Sequence, residues 1–151
     1  MFTKILYPTD FSDVSRKAME YVKKLAEAGA KEVVVTHVID EREIVSFGVG
    51  VPWLAKNMEK AEAELRKEMK IKAQKDLDTI ESELRKLGFN VKIRLESGSP
   101  FRGILRIEEE ENVSAVVIGS HGKSNIKEML LGSVSEHIIR HCKKPVLVVK
   151  R

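Results

Sequence analysis

The sequence predicts an α/β domain, five parallel strands in one open sheet with helices on both faces, and three observations carry that expectation. Short β-branched runs alternate with amphipathic stretches along the chain. The runs EVVVTHV (Glu32–Val38), AVVI (Ala115–Ile118) and VLVV (Val146–Val149) are nearly unbroken in Val and Ile, as strands covered on both faces are. With 151 residues, 42% of them hydrophobic, the chain is one domain's worth and can bury a core without disulfides or a structural metal.

In chain order, Phe2–Tyr7 reads as the first strand. A helix should follow, with Ser12 as N-cap, Asp13 at the positive dipole end, Val14, Ala18, Tyr21, Leu25 and Ala26 on the buried stripe, and Gly29 closing it. Glu32–Val38 is the second strand. The stretch Asp40–Pro52, with Gly48 and Gly50, reads as one long loop. Helical spacing then runs from Leu54 to Leu87, closing on Gly88. Unbroken, that helix would span about 50 Å, more than such a sheet needs, so a break or a projecting arm is expected. Its surface should carry the pairs Glu62–Arg66 and Glu81–Arg85. Val91–Leu95 is the third strand. Ser99 and Pro100 open a helix through Phe101, Ile104, Leu105 and Ile107 into the acidic run Glu108–Glu111, read as a solvated surface run. Ala115–Ile118 is the fourth strand. The last helix should start near Gly132 and Ser133 and end near His141, and Pro145 punctuates entry to the closing strand Val146–Val149.

Composition narrows the function classes. Lys and Arg number 27 against 23 Asp and Glu, so both signs are abundant and nearly balanced, unlike a polycationic nucleic-acid surface. Basic and acidic residues nearly cancel between Leu54 and Leu87, and with 5% aromatics stacking platforms are scarce; no nucleic-acid partner is expected. A lone cysteine, Cys142, excludes an internal disulfide and any CxxC motif, which points to a reducing cytoplasm. The apolar start Met1–Tyr7 is too short for a signal h-region or a membrane span, so no membrane partner is expected either.

The informative segment is GSHGKSNIKEMLLGSVS, Gly119–Ser135, which begins where the fourth strand ends. Gly119 lets the backbone turn sharply and approach a ligand, and Gly122 permits a second tight turn whose N–H groups can face an anion. Gly132 and Ser133 open a helix whose unpaired N–H groups form a second anion cradle, with the Ser133 hydroxyl as a further donor. Other phosphate motifs fail. A Walker A loop ending in Gly122-Lys123-Ser124 needs glycine where Val117 stands, and a GxGxxG from Gly48 and Gly50 needs one where Trp53 stands. There is no GxSxG elbow and no recognisable Ser, His and Asp set. His137 and His141 lie four apart on a helix, but a zincin motif needs Glu where Ile138 stands, so they read as an ordinary helix end. His37 reads as a core or rim residue, whereas His121, inside the glycine loop, could reach a phosphate or simply point to solvent.

On these residues the sequence resembles the universal stress protein family, in its ATP-binding branch. That family's pattern of glycine, two residues, glycine, nine residues, then glycine and serine or threonine is matched by Gly119, Gly122, Gly132 and Ser133. ILYPTDFS, THVID and KKPVLVVKR resemble its opening, second and closing strands. The resemblance implies a Rossmann-like fold of the adenine nucleotide alpha hydrolase-like kind. It implies that Pro8, Thr9 and Asp10 flank an adenosine, that Val38 contacts the adenine, and that Ile118 with Gly119 lines the ribose side. Gly122, Gly132, Ser133, Val134 and Ser135 would hold the phosphates. ATP, AMP or ADP is the expected ligand, with Mg²⁺ or Mn²⁺ accompanying it.

Elementary topology leads the same way. An open α/β sheet binds ligands beyond the carboxyl ends of its strands where the strand order reverses. In the order 3-2-1-4-5, strands one and four meet there and bring Pro8–Asp10 against Gly119–Gly122. Asp10 could then orient a metal or bond a ribose hydroxyl, or serve only as a turn residue. The expected function is a nucleotide-dependent switch or stress-response module. The alternatives are a slow ATPase or nucleotide-transfer enzyme using Asp10, and a scaffold engaging a partner through the long helix and the Asp40–Pro52 loop. The apolar closing strand Val146–Val149 invites pairing with its copy in a homodimer, which the resemblance also implies.

Overall fold

Residues 1–46, 57–122 and 131–151 are described by a computed structural model of the chain. The run Lys123–Leu130 of the glycine loop, the Phe47–Pro52 part of the expected long loop, and the Trp53–Lys56 start of the long helical pattern lie outside the described residues. The strands are β1 (Lys4–Pro8), β2 (Glu32–Asp40), β3 (Asn90–Gly98), β4 (Ala115–Gly119) and β5 (Val146–Val149), all paired in parallel in the order β3-β2-β1-β4-β5. The helices are α1 (Asp13–Lys24), α2 (Glu41–Ser46), α3 (Met58–Lys86), α4 (Pro100–Glu110) and α5 (Ser133–His141).

Alternation along the strands sorts the core into two layers. Ile5, Tyr7, Val33, Val35, Ala115 and Val117 face α1 and α3, burying Ala18, Met19, Val22, Leu77, Ile80 and Leu84. Leu6, Val34, Val38, Val116 and Ile118 face α4 and α5, burying Ile104, Ile107 and Ile138. Fully burying each such aliphatic side chain contributes about 1.5–3 kcal/mol, which is why the Val and Ile runs dictate the sheet.

Four details differ from the sequence reading. The buried face of α1 is Val14, Ser15, Ala18, Met19 and Val22, and Tyr21 is exposed, because Ser15 joins the core through hydrogen bonds. Asp40 ends β2 and Glu41–Ser46 is helical, so the expected loop starts as a helix. The long helix shows no break over its 29 described residues, about 43 Å at about 1.5 Å per residue, and only its second half is buried, at Ala73, Leu77, Ile80 and Leu84. Arg66 does not pair with Glu62 but bridges to Glu41 of α2 at 2.9 Å, while the Glu81–Arg85 pair forms at 2.7 Å.

The acidic run is the largest correction. Glu108 and Glu111 are buried, and Glu111 takes Lys92 at 2.7 Å, Arg94 at 2.7 Å and Lys4 at 3.2 Å. Lys92 above all, with Arg94 and Lys4, pulls the Glu111 carboxyl down to about 2. Glu110 pairs with Arg94 at 2.7 Å, and Glu96 takes both Arg94 and Arg106. These cations from β1 and β3 draw Glu111 out of water, while Glu109 and Glu110 stay exposed as the sequence reading has it.

Candidate functional site

The crevice opens where strand order reverses. From β1 the chain turns to α1 on one face of the sheet, and from β4 it leads to α5 on the other, so the β1 and β4 ends part above the sheet. A cleft of about 370 Å³ occupies the gap.

Its first wall is the turn after β1, held by its own side chains. The Thr9 N–H continues the ladder to the Thr36 carbonyl at 2.8 Å, and Phe11 N–H donates to Thr9 Oγ1 at 3.0 Å. Thr9 Oγ1 lies 3.1 Å from Ser15 Oγ, which donates to the Ser12 carbonyl at 2.9 Å, and Tyr7 Oη donates to the Ser15 carbonyl at 2.7 Å. Burial pushes the Tyr7 phenol up to about 12, so it stays a neutral donor. Asp10 Oδ1 accepts from Ser12 N–H at 3.0 Å, the turn role, while a Cβ at Gly122 would lie 2.9 Å from Asp10 Oδ2. A side chain at Gly122 would push that carboxylate tip aside.

The second wall is the β4 end with the start of α5. A Cβ at Gly119 would meet Val14 Cγ1 at 3.0 Å and the Val14 carbonyl carbon at 3.1 Å, so the missing side chain is what lets α1 lie against β4. Ser135 Oγ donates to the Gly119 carbonyl at 2.8 Å, and Gly132 N–H donates to the Ser120 carbonyl at 2.7 Å, which together seat the helix start beside the strand. Gly132 is the N-cap and offers no side chain, and the first helical bond runs from Glu136 N–H to the Gly132 carbonyl. The N–H groups of Ser133, Val134 and Ser135 thus have no acceptor within the helix and carry its positive dipole end to the cleft. Ser120 Oγ and His121 Nδ1 are 2.7 Å apart beside them.

The third wall is the free edge of β2. β1 pairs only as far as Thr36, whose carbonyl points to β1. Backbone groups alternate sides along a strand, so the Val38 N–H and C=O also point that way, past the end of β1. The Val38 side chain packs on α4, 3.0 Å from where a Cβ at Gly103 would stand, so the cleft meets Val38 chiefly through its backbone. At the rim Arg42 forks onto Asp40, with Nη2 to Oδ2 at 2.6 Å and Nε to Oδ1 at 2.9 Å, which lowers the Asp40 pKa.

All eleven residues singled out in the sequence, Pro8, Thr9, Asp10, Val38, Ile118, Gly119, Gly122, Gly132, Ser133, Val134 and Ser135, line this one cleft. It is also lined by residues the sequence did not mark: Ser15, Thr36, His37, Asp40, Arg42, Glu43, Met69, Pro100 and Ile104. Their assignment needed the α2–α3 packing and the α4 crossing, which local patterns do not encode; His37, which the sequence reads as a core or rim residue, stands one residue past the last β1 rung. His137 and His141 stand apart from the cleft. Each donates Nδ1–H to the carbonyl four residues earlier, and their near-parallel rings have centroids 6.1 Å apart. Among the described residues no cluster of three His, Cys, Asp or Glu could hold a metal, and no helix is long and apolar enough to cross a membrane.

Comparison with known proteins agrees with this architecture. Residues 1–150 match the model of the universal stress protein family. Universal stress protein MJ0577 of Methanocaldococcus jannaschii is 46% identical over 156 residues, covering 100% of this chain and 96% of that protein. Its solved structure superposes with a TM-score of 0.89 at 44% identity, covering 100% of this chain and 97% of that one. Universal stress protein YxiE of Bacillus subtilis is 32% identical over 151 residues, covering 99% and 100%. An Arabidopsis thaliana universal stress protein family protein solved with AMP bound has the same fold, with a TM-score of 0.65 at 16% identity over 99% of this chain and 92% of that one.

Proposed function

The chain belongs to the universal stress protein family, and from that premise we propose that it is an ATP-binding member acting as a nucleotide-dependent switch. The observation that carries the reading is the pairing of two unlike donor sets across one cleft. At the β2 edge, the Val38 N–H and C=O stand side by side beyond the end of β1. Adenine offers the complement, an acceptor at N1 beside a donor at N6, whereas guanine reverses the two. Across the cleft, the N–H groups of Ser133, Val134 and Ser135 and the turn at Gly122 suit phosphate oxygens without a countercharge. A relative of the same fold with AMP bound adds support.

Pro8, Thr9 and Asp10 would flank the nucleoside, with Ile118 and Gly119 beside the ribose. Asp10 Oδ2, held against Gly122, is the carboxylate suited to a Mg²⁺ or Mn²⁺ that arrives on the phosphates. The same placement supports a second reading, a slow ATPase in which Asp10 orients the metal. The edge strand β5, with Leu147 exposed, supports homodimer formation by strand pairing, and the lone thiol suits the cytoplasm.

Calorimetric titration with ATP and Mg²⁺ should give saturable binding, weakened by Gly132→Val, which crowds His121 Cα at 3.3 Å, and by Ser133→Ala. Binding unchanged in both variants rejects the site. Single-turnover hydrolysis that is equal in the wild type and Asp10→Ala rejects the ATPase reading.

A further inference from the structure

We propose that His37 is a positioning residue of the cleft, which clamps the Thr9 carbonyl and so orients the Asp10 peptide N–H toward bound nucleotide; this rests on the nucleotide reading above. His37 is buried on β2, one residue beyond the last β1 rung, and its Nδ1 lies 2.8 Å from the Thr9 carbonyl oxygen. A carbonyl can only accept, so Nδ1 carries the proton, and the ring is held as the Nδ1–H tautomer.

The consequence follows from peptide geometry. The C=O and N–H of a trans peptide point in opposite directions, and no cis bond occurs among the described residues. Pulling the Thr9 carbonyl toward β2 therefore turns the Asp10 N–H toward β4, the crevice side where Gly122 approaches. No hydrogen bond from that N–H forms among the described residues, whereas the Phe11 and Ser12 N–H groups are taken by Thr9 Oγ1 and Asp10 Oδ1. Of the three successive donors after Thr9, the turn leaves the one that His37 aims.

A second contact secures the clamp. Phe11 adopts φ of 65°, a left-handed conformation that a bulky residue avoids, and its ring lies on His37 with centroids 4.6 Å apart. His37 therefore holds the turn at two points, the carbonyl before Asp10 and the side chain after it.

Two variants separate the hydrogen bond from packing. His37→Leu keeps apolar bulk and removes the donor, and His37→Asn places an amide donor near the Nδ1 position. ATP affinity measured by titration should fall roughly five- to tenfold in His37→Leu, the loss of one hydrogen bond, and largely return in His37→Asn. In the nucleotide-free wild type, ¹⁵N spectra of the imidazole should show the Nδ1–H tautomer, and the Asp10 amide resonance should shift in His37→Leu and recover in His37→Asn. An Nε2–H tautomer overturns the proposal, as does a His37→Asn as weak as His37→Leu. Wild type that binds ATP with His37→Leu unchanged overturns the positioning role alone. Wild type that binds no adenine nucleotide overturns the functional reading and the role with it, while the tautomer still reports on the clamp.

Discussion

At the carboxyl ends of β1, β2 and β4 the chain presents glycines, small hydroxyls and backbone groups unpaired among the described residues, whereas toward the amino ends of β1 and β3 Glu111 gathers Lys4, Lys92 and Arg94 around one carboxylate. Both regions must satisfy buried polar groups. The ion-pair node does so with protein charges that meet one another, and its Glu111 side chain is 6% exposed. The cleft leaves its donors to be met from outside. Net positive charge is therefore a poor guide to where an anion binds here: the cations gathered at the node are committed to carboxylates, and the candidate phosphate cradle is backbone.

Substitutions that cross this division test it. The largest effect is expected for Gly119→Val, whose side chain would start 3.0 Å from Val14 Cγ1 and 3.2 Å from the Ser15 nitrogen. Backbone cannot retreat as a flexible side chain can, so urea unfolding should show a loss of about 3 kcal/mol, with nucleotide affinity falling as well. Gly119→Val at wild-type stability would mean that α1 is not held against β4 as described.

Glu111→Gln should separate the two effects, lowering stability by about 2 kcal/mol after allowing for the exposed Lys92 while leaving ATP affinity unchanged. Its pH dependence has a definite sign. The folded-state pKa is depressed from 4.5 to about 2, so the contribution is complete above pH 4.5 and is lost as pH falls toward 2. Acid unfolding curves of wild type and Glu111→Gln should therefore converge through that window. A constant gap between them assigns the stabilisation to packing instead.

How far the sequence foretold each region follows from the range of the interactions. The Val and Ile runs marked β2 and β4, which are buried on both faces, and β5, which is only partly buried, whereas the edge strand β3 was legible from its alternation; the glycine spacing marked the cleft because close backbone approach at Gly119 demands a missing Cβ. The ion-pair node was read as a solvated run. Nothing near Glu108–Glu111 announces Lys4 or Lys92, which the sheet delivers from far along the chain. Arg66 failed likewise, because a helical neighbour at Glu62 was visible and Glu41 of α2 was not. Tyr21 was misplaced because Ser15, polar by type, turns inward to bond Thr9 and Tyr7 and rotates the buried face of α1.

Within the acidic run, Glu108 sharpens the contrast between a satisfied and an unsatisfied carboxylate. It is 2% exposed, and its Oε1 has no hydrogen-bond partner among the described residues. Removing an unpartnered buried polar atom while keeping the volume should stabilise, so Glu108→Met is expected to gain about 1 kcal/mol in urea unfolding. A loss of similar size would show that Glu108 is tied into the network its neighbours form.

The smallest effect belongs to the outer end of the same run. Lys143 meets Glu109 at 2.5 Å, a separation as short as any in the node, yet the two side chains are 74% and 59% exposed. Water screens the pair in both folded and unfolded states, and two long side chains lose rotamer freedom in making it. Each partner's pKa moves in the direction that the pairing requires, Glu109 down and Lys143 up, but exposure strips that shift of thermodynamic weight. Lys143→Ala should therefore leave the urea-unfolding midpoint indistinguishable from wild type, with no effect on ATP titration. A loss matching that of Glu111→Gln would show that ion-pair distance, rather than burial, sets the strength of this end of the molecule.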